Sequence, residues 1–357
     1  MTGKEKSVNF KPWIRVNEIG PNNAFGDTLG RKAHGSTKTM LKKTKQLVRA
    51  IQVTLTADNW PTPNYSPLVS EPTFLFIITP PFSGSTALAQ VLNSAHHSTL
   101  IHKRGEGQWL VPGMCQADRW NPDKYIDWKS VTAVWSSRIH FIEEHVGKVS
   151  VVIEKSPPNL VRVDRLLETF PKHKIVAFNR NPYASCASML YRAHDGKNKS
   201  TGERLEIIRE LAAAWAFRSA WLKKQIDRYS PIHFTYEKFC DDPEAAVKRI
   251  TDHFPEMIGI DTTRAIKVKD YRLQGISNQN ERQIGNLCAQ ERSVIGAALR
   301  PHEELLQFFG YTSEWEKDLE QGGAGNRRRV AVRTELRPEV RENSLVRIFD
   351  ASDARSG

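Results

Sequence analysis

A chain of 357 residues, 39% hydrophobic and 26% charged, can bury a core that needs no disulfide or metal staple, so a disordered or small stapled protein is excluded. No apolar run approaches the ~20 residues of a membrane span, and MTGKEKSVNFKPW lacks the apolar centre of a secretory signal, so a cytoplasmic location is expected. The net charge of +12 suits an anionic partner, but no DNA- or RNA-binding motif accompanies it and no nucleic acid is expected to bind.

Residues 1–70 read as an extension. Gly, Pro and Asn punctuate Gly20–Gly30, and Thr37–Leu55 forms a basic amphipathic helix with Met40, Leu41, Leu47, Val48 and Ile51 on one face. Packing on the core is the expected role of this helix; contact with a membrane surface is the alternative. Phe74–Thr79 is then a buried strand of a parallel sheet, stopped by Pro80 and Pro81. A loop with a single glycine, Gly84, leads into a helix whose apolar positions are Ala87, Leu88, Val91 and Leu92, with Ser85 and Thr86 as suitable N-cap types. Strand, tight loop and helix N-terminus together make an anion site. The loop lacks the second glycine and the lysine of a Walker A motif, which argues against an ATP or GTP hydrolase and a small-molecule kinase.

Further along, Val131–Glu144 reads as a helix. Val149–Ile153 is a second strand that runs into Glu154-Lys155-Ser156-Pro157-Pro158-Asn159, and a helix follows over Leu160–Phe170. Lys174–Phe178 is the third strand, ending in Asn179-Arg180-Asn181-Pro182, with Tyr183–Arg192 helical. This alternation predicts a parallel sheet with its ligand site beyond the carboxyl ends of the strands, where all three loops meet. Glu206–Tyr229 is a long helix, Ile232–Thr235 a short strand, Asp242–His253 and Ser293–Phe309 helices. Residues 321–357 read as a mobile tail, which leaves 71–320 as the α/β domain. Cys115, Cys186, Cys240 and Cys288 are widely spaced, as expected of reduced thiols, and no metal site is expected.

Three of these segments, in order, resemble the sulfotransferases that use 3′-phosphoadenosine 5′-phosphosulfate (PAPS). TPPFSGSTAL (Thr79–Leu88) is similar to the family's 5′-phosphosulfate loop, EKSPPN (Glu154–Asn159) to its Glu-Lys-Thr-Pro segment, and IVAFNRNPYASCAS (Ile175–Ser188) to its 3′-phosphate motif. Tyr236-Glu237 with Asp242-Pro243 resembles a later signature. The resemblance implies a three-layer α/β/α fold with a central parallel sheet, of the P-loop nucleotide-hydrolase-like type. It implies that PAPS is held by Phe82, Ser83, Gly84, Ser85, Thr86, Arg180 and Ser188, with Arg272 a looser match, and that the acceptor offers a hydroxyl or an amine. The general base it implies is Glu106, with His102 as rival, and Lys155 is placed to neutralise charge on the transferred group. One departure stands out: the family has Lys or Arg immediately before the loop serine, where this chain has Phe82. Either another cation, Lys155 or Arg104, takes over that role, or the protein binds nucleotide without chemistry.

Overall fold

The computed structural model of the chain describes residues 71–116, 118–266, 268 and 274–314. The basic helix in 1–70, Arg272 and the tail at 321–357 lie outside the described residues. The strands are β1 (Thr73–Ile78), β2 (Ser98–Leu100), β3 (Val151–Glu154), β4 (His173–Asn179) and β5 (Ile232–Thr235). Among the described residues the first helices are α1 (Ser85–Leu92), α2 (Trp128–Val146), α3 (Val163–Thr169), α4 (Pro182–Arg192) and α5 (Thr201–Tyr229). They are followed by α6 (Tyr236–Asp241), α7 (Pro243–His253), α8 (Asn280–Ile284), α9 (Ala289–Leu299) and α10 (Glu303–Phe308).

The five strands form one sheet in the order β2-β3-β1-β4-β5, and every pairing is parallel. Strand β1 occupies the centre, and all its residues are buried. Both faces of the sheet are covered, which is why β1 is a continuous apolar run and not an alternating one. Its side chains still alternate in direction. Phe74 and Phe76 pack with Trp135 and Ile139 of α2, Leu166 of α3 and Leu222 of α5. Leu75 and Ile77 pack with Leu88 and Val91 of α1 and with Val247 and Ile250 of α7. The architecture is therefore three-layered, α/β/α. A further core, with Leu190, Leu211, Trp215 and Leu299, joins α4, α5 and α9.

The register decides where the loops go. Phe76 stands opposite Glu154, Ile78 opposite Ala177, and Asn179 opposite Thr235. The segments that follow β3, β1, β4 and β5 thus leave the sheet side by side at one edge.

Several boundaries differ from the sequence reading, each for a local reason. Helix α1 is capped by Gly84 in the left-handed conformation and not by a serine or threonine side chain, so Ser85 and Thr86 are its first residues. Pro157 and Pro158 open a 3-10 turn over Pro157–Val161, and α3 starts only at Val163. Pro301 lies in a 3-10 turn, Arg300–His302, that divides the expected single helix over 293–309 into α9 and α10. Strand β2 is only three residues long and carries no periodic signal, and α8, at five residues, is equally short. Among the described residues no helix is long and apolar enough to cross a membrane.

Candidate functional site

One pocket lies at the carboxyl edge of the sheet. Phe82, Gly84, Ser85 and Thr86 from the loop after β1 line it, with Glu106, Lys155, Arg180 and Ser188 from three other segments. Eight residues singled out in the sequence therefore meet around one space. Tyr236, from the later signature, and Arg192, which the motifs do not include, line it too. Arg192 lies four residues after Ser188 on α4, so helical spacing puts both on one face. That spacing was the signal available for Arg192.

The loop after β1 is shaped by two left-handed residues. Gly84 has φ +82°, and a Cβ there would stand 2.4 Å from the Tyr236 ring. Only glycine allows the backbone to approach that ring. Phe82 has φ +61°, a conformation that costs a non-glycine residue of order 1–3 kcal/mol. Two contacts hold it: Phe82 packs against the apolar cluster of α4, α5 and α9, and its carbonyl accepts from Arg180 Nη1 at 3.3 Å. Phe82 thus anchors the loop through packing and its carbonyl. Ser83 is fully buried and donates its hydroxyl to the Pro80 carbonyl at 2.8 Å, and it is not among the lining residues.

Arg180 is held on several sides. Its Nε donates to Asn280 Oδ1 at 2.8 Å, its guanidinium lies 4.2 Å from the centre of the Tyr236 ring, and its carbonyl accepts from Trp215 Nε1 at 3.0 Å. Glu237 joins the same network, accepting from Asn181 N at 3.0 Å, Asn280 Nδ2 at 2.6 Å and the Tyr311 hydroxyl at 2.8 Å. A guanidinium oriented this way presents a fixed cation to the pocket.

Lys155, 2% exposed, donates to Thr86 Oγ1 at 3.2 Å and to Glu106 Oε1 at 2.7 Å. The second oxygen of Glu106 accepts from Trp109 Nε1 at 2.8 Å and from Gln108 Nε2 at 3.2 Å. A carboxylate and an ammonium group are therefore joined directly at the N-terminus of α1. His102, in the same loop as Glu106, does not line the pocket. Burial lowers its pKa to about 4; the Glu106 carboxylate opposes that shift, while Lys103, Arg104 and Arg138 add to it. The imidazole is neutral at pH 7, and its Nδ1 is buried with no hydrogen-bond partner.

The donor set fits an anionic ligand. The N-terminus of α1, which no side chain caps, and Lys155, Arg180, Ser188 and Arg192 all line the pocket.

An all-parallel sheet covered by helices on both faces, with a cation-lined pocket beyond its carboxyl edge, defines an α/β protein of the kind that binds ligands at that edge. The sulfotransferase family model matches residues 72–257, just over half of the chain, and the protein belongs to that family. No curated protein matches. The chain is similar to a solved sulfotransferase from Mycobacterium avium, at 14% identity and TM-score 0.48, covering 78% of this chain and 87% of that one. It is also similar to a sulfotransferase from Alicyclobacillus acidocaldarius, at 18% identity and TM-score 0.43, covering 67% of this chain and 96% of that one. A third likeness is to the sulfotransferase domain from the curacin biosynthetic pathway, at 14% identity and TM-score 0.35, covering 63% and 97%.

Proposed function

We propose that the protein transfers a sulfuryl group from PAPS to a hydroxyl or amine of an acceptor. The observation that carries this reading is the contact chain Thr86–Lys155–Glu106 at the N-terminus of α1, with Arg180 and Ser188 lining the same pocket. Bound PAPS supplies the sulfuryl group, whose bond to the 5′-phosphate oxygen breaks as the acceptor oxygen or nitrogen bonds to sulfur. Glu106 takes the proton that the acceptor loses; Trp109 and Gln108 orient its carboxylate for this. Lys155 offsets negative charge on the leaving oxygen, a role suited to a cation that already touches both Thr86 and the base. Arg180, Ser188 and Arg192 hold the 3′-phosphate end. Phe82 supplies no charge, and Lys155 stands in for the basic residue that the family has there.

Transfer from labelled PAPS to a panel of acceptors, read by intact mass, tests the reading. Lys155→Ala should lower turnover by several orders of magnitude, because it removes charge stabilisation made mainly in the transition state. Glu106→Gln should lower it by about 10²–10⁴-fold with affinity for the product nucleotide PAP nearly intact. Arg180→Ala should cost roughly 1.5–3 kcal/mol of PAP binding. A wild type that binds PAP but transfers nothing, and gains transfer in Phe82→Lys, would make it a nucleotide-binding protein without chemistry.

A further inference from the structure

Glu106 sits on a loop, yet its backbone is held on both sides by the residues that end β3. Lys155 N donates to the Gly105 carbonyl at 2.6 Å, just before Glu106. Gly107 N, just after it, donates to Glu154 Oε1 at 3.2 Å, and Gln108 N donates to Ser156 Oγ at 3.2 Å. Ser156 in turn donates its hydroxyl to Glu154 Oε1, and Asn159 Nδ2 donates to Glu154 Oε2 at 2.9 Å. Glu154 is 1% exposed, and among the described residues no Lys, Arg or His side chain pairs with it. A buried carboxylate without a counter-cation is costly unless hydrogen bonds satisfy it. Three donors converge on it, and one of them belongs to the base loop.

Trp135 closes on the same residue through the next peptide. Its Nε1 donates to the Gly107 carbonyl at 3.2 Å, and a Cβ at residue 107 would stand 2.8 Å from its ring. Gly107 is therefore clamped between Glu154 and the α2 indole.

We infer that Glu154 is a positioning residue for the sulfuryl-transfer step: through the Gly107 amide it fixes the Glu106 carboxylate against Lys155. It touches neither donor nor acceptor. The inference rests on the assignment of Glu106 as the base. It goes beyond that assignment in naming what makes a loop carboxylate a fixed one, since a base displaced by about an ångström loses much of its effect.

The experiment combines hydrogen exchange with kinetics. In the wild type the Gly107 and Gln108 amides should exchange as slowly as those of β3. Glu154→Ala should release the Gly107 amide and lower kcat by about 10–100-fold, with KM for PAPS and Kd for PAP within about twofold of wild type. Glu154→Gln keeps an acceptor for the Gly107 amide and should recover kcat to within about threefold. A wild type whose Gly107 amide exchanges at the rate of an exposed loop overturns the inference without any variant, so a Glu154→Ala that fails to fold does not shield it. An equal loss of PAP affinity and kcat in Glu154→Ala overturns it as well, as does a Glu154→Gln that stays as slow as Glu154→Ala. Glu106→Gln, measured alongside, separates the two levels. Turnover that survives it removes the base assignment and the inference together, whereas a freely exchanging Gly107 in an enzyme that needs Glu106 removes the inference alone.

Discussion

Among single residues, the buried carboxylate of Glu154 carries a pH signature of its own. Burial, opposed by hydrogen bonds from Ser156, Asn159 and the Gly107 amide, raises its pKa from 4.5 to about 7. The folded state therefore binds this proton more tightly than the unfolded chain. The stability from that binding is fully present below pH 4.5 and is lost as pH rises through about 7. The difference is roughly 3 kcal/mol. Glu154→Gln has no such proton to lose. Its melting temperature should gain on the wild type between pH 5 and pH 8; parallel melting profiles across that range would show that Glu154 does not titrate there. His102 differs in kind. Its lowered pKa keeps it neutral at pH 7 and leaves it a weak base, while Glu106 is hydrogen-bonded within the pocket. The sequence places both residues in one loop, four positions apart, and the family resemblance ranks Glu106 first. In the fold it is Glu106 that meets Lys155.

At the scale of elements, the loop from β1 to α1 shows what structural place an apolar residue takes in such a loop. A phosphate-type loop with an apolar residue before its serine looks deficient as a string of letters. In the folded chain Phe82 ties the loop to α4, α5 and α9, and Lys155, which follows the neighbouring strand, donates to Thr86 at the start of α1. The division of labour follows from sheet order: β3 is next to β1, so the residue after β3 reaches Thr86 across one strand spacing. The same element makes Gly84 intolerant of any side chain. Gly84→Ala would force a Cβ into the Tyr236 ring and put alanine at φ +82°. Loss of PAP binding by at least tenfold is the expected outcome in calorimetry, accompanied by a lower melting temperature. Wild-type affinity in that variant would mean that the loop is not where the nucleotide binds.

For the whole molecule, one pocket is assembled from segments as far apart in sequence as Phe82 and Gln283. A ligand that bridges Thr86, Lys155, Arg180 and Ser188 would hold the loops after β1, β3 and β4 together, so it binds the folded chain and not the unfolded one. PAP at 100 times its dissociation constant should add about 2.7 kcal/mol to stability and raise the melting temperature accordingly. ATP, which lacks a 3′-phosphate, should do much less. An equal response to both nucleotides would detach Arg180 and Ser188 from the 3′-phosphate.

The sequence by itself determined the strand–helix alternation, the parallel sheet and the edge at which its ligand site lies. Apolar runs bounded by proline and glycine are local signals, and a crossover between parallel strands has one hand. It also named eight of the residues that line the pocket, because their spacing from strand ends is short. It did not determine β2 or α8, which are too short to show a period, nor the break at Pro301 that splits α9 from α10. Three features only the tertiary structure decided: the contact of Lys155 with Thr86 and Glu106, the clamp of Glu154 and Trp135 on Gly107, and the place of Tyr236 beneath Gly84 and Arg180. Each joins residues at least 28 positions apart, and such contacts are set by strand order and register, which no local pattern of residues encodes.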